Sequence, residues 1–194
     1  MCSGISRISP PARENDPSGL TVATAETYAF WGMGVQEPVF RLLFVCTGNT
    51  CRSPMAEGLL RRSLGADAEF VEIGSAGVAA VEGAPPTAPA VQIAARNGVD
   101  ISSHRSRPLS KALVERADLI LVMEPGQREA VRRMGGGERV HLISEWPAPG
   151  EPGLEVADPF GQSAEAYEEC WRRLDRHVER LLPQLREELR ARRS

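Results

Sequence analysis

Hydrophobic and polar positions change period several times along the 194-residue chain, and each change marks an element. Residues 39–44 are apolar with Arg41 as the only charge, the pattern of a short strand. After a small polar loop, Met55, Leu59, Leu60 and Leu64 recur at helical spacing. Ser53 suits the N-cap of that helix, and Pro54 its first position, where the missing N–H costs nothing. Residues 70–73 alternate as a second strand and run into Gly74-Ser75-Ala76-Gly77, small residues that permit close approach of a neighbouring loop. Pro85-Pro86 punctuates a loop, and residues 90–97 read as a helix closed by Gly98. The nearly continuous apolar run in residues 117–123 suits a strand buried on both faces. Residues 127–134 are helical and stop at Gly135-Gly136-Gly137, and residues 139–143 supply a fourth strand. A turn-rich stretch with Pro147, Pro149, Gly150, Pro152 and Gly153 precedes the closing helix, residues 163–182. Its stripe of Tyr167, Trp171, Leu174, Val178, Leu181 and Leu182 reads as core; Pro183 is expected to kink or end it, with a frayed helical continuation through Leu185 and Leu189 as the alternative.

Four strands separated by helices predict an α/β fold, a doubly wound parallel sheet with right-handed crossovers. Residues 1–38 stand apart, because Pro10, Pro11, Pro17, Gly19, Gly32 and Gly34 interrupt any period. The expected organisation is an N-terminal extension over 1–38 and one domain over 39–194, with Met33 as an alternative translation start just upstream. An apolar content of 42% is enough for a proper core, and a net charge of −3 gives no general reason to expect nucleic acid as a partner. No apolar run approaches the roughly 18–20 residues of a membrane span, and no hydrophobic signal segment follows Met1. The 4 cysteines form no disulfide framework and fit the reducing cytoplasm. The abundance of arginine against a single lysine, Lys111, points to codon bias more than to function.

The candidate chemistry lies where the first strand gives way to the first helix, at Cys46-Thr47-Gly48-Asn49-Thr50-Cys51-Arg52-Ser53-Pro54. Free N–H groups of such a loop and first helical turn form an anion cradle, favoured by the helix dipole. Gly48 allows unusual backbone angles, and Asn49 tolerates a left-handed one. A cysteine facing that field beside an arginine is expected to have its pKa lowered to about 3.5–7.5 and so to be a thiolate. Arg52 can fold back over the loop and grip two phosphate oxygens with its planar fork. Cys46 is then a nucleophile and Arg52 the clamp on a transferring phosphoryl group. Cys170 and Arg176 share the spacing, but they lie in a periodic stretch without glycine, where backbone N–H groups serve helical hydrogen bonds. That pair cannot cradle phosphate.

Residues 44–57, from Phe44 through Cys46 and Arg52 to Glu57, closely resemble the signature loop of the low-molecular-weight protein phosphatases, most of all the bacterial protein-arginine phosphatases. The resemblance covers roughly residues 39–182 and implies the sheet order 2-1-3-4 with the phosphate loop after strand 1. It implies a cysteine-dependent phosphatase with a phosphocysteine intermediate, acting on phosphorylated protein, as a monomer, without cofactor or metal. Asp158, in Asp158-Pro159-Phe160-Gly161, falls where the family carries its catalytic acid; an Asp-Pro turn alone would mean little. Cys46, Arg52 and Asp158 are the implied catalytic set. Thr47, Gly48, Asn49, Thr50, Cys51, Ser53 and Phe160 are the implied phosphate- and substrate-binding set. Ser75 and His104 are implied to brace Asn49. Arg105 and Arg107 are expected in solvent rather than at the mouth. Thr50 decides the substrate: arginine phosphatases carry threonine here, whereas tyrosine-selective relatives carry a larger aliphatic residue. Phosphoarginine is therefore expected, with phosphotyrosine as the alternative. An arsenate reductase would need two further redox cysteines in the second half, where only Cys170 is present. A phosphate-binding module without turnover would need neither the thiol nor the acid.

Overall fold

The computed structural model describes residues 40–148 and 156–193, all within the compact unit Glu37–Ser194. The expected extension over residues 1–38, the start at Met33, and residues 149–155 of the turn-rich stretch lie outside the described residues.

Strand β1 is Phe40–Cys46, β2 Val71–Gly77, β3 Leu119–Val122 and β4 Val140–Leu142. They pair in parallel in the order β2-β1-β3-β4, with Val45 opposite both Ala76 and Val122. The period of two explains how near-continuous apolar strands build two cores. Phe40, Leu42, Phe44, Leu119 and Leu121 face one side, and Leu43, Val45, Ile120 and Val122 face the other.

The first side is covered by α1 (Arg52–Leu64), α2 (Ala88–Arg96) and the long α5 (Ala164–Arg193). The second side is closed by α3 (Lys111–Arg116) and α4 (Pro125–Arg133), through Val114 and Val131. Each large side chain buried fully in these cores stabilises the fold by roughly 1.5–3 kcal/mol.

One expectation is corrected, and two element ends are defined more closely. Ser53 is not the N-cap of α1: Cys51 takes that place without a side-chain cap, and Ser53 sits in the first turn with its hydroxyl turned to the loop. The second strand ends in Gly74-Ser75-Ala76-Gly77 as expected, and a Cβ on Gly77 would lie 2.5 Å from the Thr47 carbonyl oxygen. The phosphate-loop backbone rests directly on that glycine. The closing helix passes through Pro183 to Arg193. Pro183 is exposed, so the carbonyl it leaves unpaired faces water, while Leu181, Leu185 and Leu189 on the opposite side are at most 3% exposed. A helical proline costs about 3 kcal/mol. Three buried leucines outweigh it.

Candidate active site

Cys46 ends β1, and residues 47–51 form the loop into α1. The loop's carbonyl edge is engaged outward. Val78, Ala79, Thr87 and Met55 donate backbone N–H groups to the carbonyls of Cys46, Thr47, Thr50 and Cys51 at 3.0–3.2 Å. His104 Nε2 donates to the Asn49 carbonyl at 2.9 Å, which fixes the proton on that ring nitrogen, since a carbonyl only accepts. With these oxygens held outside, the N–H edge turns inward: Asn49 N–H donates to Cys46 Sγ at 3.2 Å.

The bend is made by Asn49, at φ 55°, and not by Gly48. Asn49 is fully buried and its amide is saturated. Its oxygen accepts the Arg107 N–H at 2.9 Å, and its nitrogen donates to Ser53 Oγ at 2.8 Å and Ser75 Oγ at 2.9 Å. Ser75 in turn donates to Glu57 at 2.7 Å. Because Ser53 Oγ already accepts from Asn49, its own proton is available to Cys46 Sγ, 3.0 Å away. Ser53 is thereby set to stabilise a sulfur anion. The Arg105 side chain rests on the Ser102 and His104 carbonyls, and that of Arg107 on the Ser75 carbonyl; neither lines the cavity at the loop.

Arg52 is 1% exposed, and its terminal nitrogens are shared. Nη1 pairs with Glu124 and with the Val156 carbonyl at 3.2 Å. Nη2 pairs with Asp158 and reaches Thr47 Oγ1 at 3.4 Å. Its Nε is buried and has no partner among the described residues. A buried donor in that state wants an acceptor, and a phosphoryl oxygen on the loop is of the right kind.

Burial pushes the Cys46 thiol above its ordinary value, against the pull of hydrogen bonds from Ser53, the charge of Arg52 and the Asn49 N–H. The expectation of a lowered pKa is thus reversed in this arrangement. The physical reason is burial: Cys46 is 2% exposed, and the cost of desolvating its anion outweighs the hydrogen bonds and the charge of Arg52.

Asp158 arrives on a turn that holds it over the loop. The Phe160 N–H donates to Asp158 Oδ1 at 3.2 Å, and Gln162 Nε2 to the Asp158 carbonyl at 2.7 Å. Gly161, at φ 73°, makes the exit. A cavity of about 200 Å³ lies between the two segments, lined by residues 46–48 and 50–52 with Asp158 and Phe160. Phe160 is 66% exposed and forms one side of the mouth. The structure therefore gathers Cys46, Thr47, Gly48, Thr50, Cys51, Arg52, Asp158 and Phe160 at one cavity, with Asn49, Ser53, Ser75 and His104 behind it. Cys170 does not line this cavity; it is buried in α5, where burial pushes its thiol up to about 12.

Five polar residues at the site were not anticipated from the sequence: Glu57, Thr87, Glu124, Gln127 and Tyr167. Glu124 and Gln127 directly follow β3, and position at the carboxyl end of a parallel strand was the available signal. Thr87 Oγ1 donates to Tyr167 OH at 3.1 Å, and both lie within 3.5 Å of Cys51 Sγ. Burial and the neighbouring Cys51 push the Tyr167 phenol up to about 12, so it stays protonated. Among the described residues no group of His, Cys, Asp and Glu is placed to hold a metal ion, and no helix is long and apolar enough to cross a membrane.

Residues 41–191 match the family described as low molecular weight phosphotyrosine protein phosphatase. A probable low molecular weight protein-tyrosine-phosphatase EpsP from Ralstonia nicotianae is 39% identical over 147 residues, covering 75% of this chain and 95% of that protein. A protein-arginine-phosphatase from Geobacillus stearothermophilus is 34% identical over 151 residues, covering 77% of this chain and 98% of that protein. Among solved structures, the YwlE arginine phosphatase, as a cysteine-to-serine mutant with a phosphorylated active site serine, superposes with a TM-score of 0.69 at 32% identity. That match covers 76% of this chain and 96% of the other.

Proposed function

Because the chain belongs to the low molecular weight phosphotyrosine protein phosphatase family, we propose that it hydrolyses phosphoarginine on proteins by double displacement through Cys46. The observation that carries this reading is the single cavity on which Cys46, Arg52, Asp158 and the Thr50 side of the loop converge. Cys46 attacks phosphorus in line as the thiolate, forming the S–P bond as the bond to the leaving nitrogen breaks. Arg52 and the inward N–H groups hold the equatorial oxygens, where transition-state charge sits. Asp158 protonates the leaving group, then as carboxylate takes a proton from the water that cleaves the phosphocysteine. Ser53 stabilises the sulfur anion at both steps. The phosphorylated active site serine of the solved YwlE mutant supports a covalent intermediate at this position.

The choice of phosphoarginine is supported by Thr50, whose small β-branched side chain leaves room beside the phosphoryl group and offers a polar contact. It is supported too by the Asp158 carboxylate, 39% exposed at the mouth and able to pair with a guanidinium. A tyrosine-directed activity is the second reading. In its favour are Phe160, exposed where it could stack on a ring, and the EpsP-type relative at 39% identity. The protein is read as a monomer acting on phosphorylated proteins in the cytoplasm. Among the described residues the three cysteines, Cys46, Cys51 and Cys170, are free thiols, which fits that reducing setting.

The deciding measurement is kcat/KM for phosphoarginine and phosphotyrosine peptides on the same preparation, before and after Thr50→Ile. The expected result is preference for phosphoarginine in the wild type and a shift toward phosphotyrosine in the variant, because isoleucine fills the space by the nitrogen. Preference for phosphotyrosine in the wild type, or an equal fall in both constants on Thr50→Ile, would overturn the arginine assignment.

A further inference from the structure

Gln127 lies in the first turns of α4 and is 3% exposed. Its side-chain oxygen accepts the Met123 N–H at 2.9 Å. A backbone N–H can only donate, so this contact fixes which way the amide faces. The oxygen turns to the end of β3 and the nitrogen to Thr47, with Nε2 3.2 Å from Oγ1. Arg52 Nη2 reaches the same hydroxyl oxygen at 3.4 Å. Both neighbours are obligate donors. A hydroxyl has two lone pairs and one proton, so Thr47 accepts twice and its proton must leave on the remaining side. Thr47 is an exposed residue whose remaining side is the 200 Å³ cavity. Asp158, the nearby acceptor, is turned to Arg52 and the Phe160 N–H, and among the described residues no hydrogen bond joins it to Thr47.

We propose that the Thr47 hydroxyl donates a hydrogen bond to a phosphoryl oxygen of the bound substrate, and that Gln127 is the positioning residue that aims its proton. The inference rests on the phosphoryl-transfer reading of the cavity and adds a side-chain donor to the backbone cradle. Its polarity follows from the two donors behind it. Arg52 withdraws electron density from the hydroxyl oxygen, which makes its proton a better donor to a dianion.

Gln127→Glu tests the aim with little change of shape. One carboxylate oxygen keeps the Met123 N–H, while the other faces Thr47 and takes the hydroxyl proton away from the cavity. The probe is inorganic phosphate, its affinity measured by calorimetry in wild type, Thr47→Ser, Thr47→Val, Gln127→Glu and the double variant. Thr47→Val is expected to weaken phosphate about tenfold, as for loss of a hydrogen bond to a charged group, and Thr47→Ser to stay near wild type. Gln127→Glu is expected to weaken it at least as much, and to cost clearly less in the Thr47→Val background, where no hydroxyl remains to turn. Equal cost in both backgrounds, or wild-type affinity in Thr47→Val, would overturn the proposal. Should Gln127→Glu not fold, Gln127→Met enters the same cycle under the same criterion, with melting temperature followed throughout. Turnover of an aryl phosphate by the wild type tests the phosphatase reading on its own. A coupled phosphate cycle in an enzyme without turnover would remove that reading while leaving the donor in place.

Discussion

Arg52 serves two carboxylates at once, Asp158 on Nη2 and Glu124 on Nη1, so an arriving phosphate dianion competes with them for one buried cation. Replacing Asp158 with asparagine removes a charge from that competition. Asp158→Asn is expected to bind inorganic phosphate more tightly than wild type. Its hydrolysis of substrates with basic leaving groups is expected to fall by about 10²–10⁴, the usual contribution of a general acid. The same change should move the titration of Cys46. The thiolate is the reactive form, and burial now holds the thiol protonated above its ordinary range. Freeing Arg52 strengthens its attraction for the anion, so the pH midpoint for alkylation by iodoacetamide should drop in Asp158→Asn. Unchanged phosphate affinity together with an unmoved midpoint would mean that the carboxylate does not restrain the cation. Cys46 and Arg52 were legible in the sequence because a glycine-containing loop between a strand and a helix sets them apart, whereas Asp158 was legible only through the family resemblance. The structure brings all three to one cavity. The protonation state of Cys46 was not legible. It follows from the burial of the sulfur, which tertiary packing sets and no local spacing reveals.

Elements were legible wherever hydrophobic period and burial agree, as in β1 and β3, and misjudged wherever a tertiary contact overrides propensity. The small residues Gly74–Gly77 read as a strand end open to a neighbouring loop, and they pair along their whole length with β1 while Gly77 lies against the phosphate loop. Ser53 looks like a cap, yet its hydroxyl is held between Asn49 and Cys46. Pro183 looks like a stop, yet Leu185 and Leu189 draw α5 onward into the core. Exposed pairs such as Arg186–Asp67 at 3.2 Å accompany that last stretch and contribute little by comparison. Pro183→Ala should therefore stabilise the protein, by up to about 3 kcal/mol. The gain should appear as a higher urea midpoint with an unchanged slope, since no new surface is buried. An unchanged midpoint would mean that the proline costs this helix nothing.

At the scale of the whole molecule the site is a product of sheet order. Pairing of β1 with β3 sets Val45 opposite Val122, so Cys46, the last residue of β1, and Met123, the first after β3, emerge side by side. The loop after β1 supplies the phosphate cradle, and the turn after β3 supplies Glu124 and Gln127 to steady Arg52 and Thr47. The parallel sheet could be read from the chain, but which side chains it would bring across the strand ends could not, because a hydrophobic pattern specifies faces and not neighbours. The same assembly bears on the division of the chain. Every site residue described lies between Cys46 and Tyr167, and the two cores run from Phe40 to Leu189. A chain beginning at Met33 contains all of them. It is expected to fold with the melting temperature of the full chain and to turn over an aryl phosphate with the same kcat/KM, since the cores and the cavity built by the described residues begin at Phe40. A loss of kcat/KM at unchanged melting temperature would place part of the substrate site in residues 1–32. A fall in melting temperature would instead make those residues part of the folded domain.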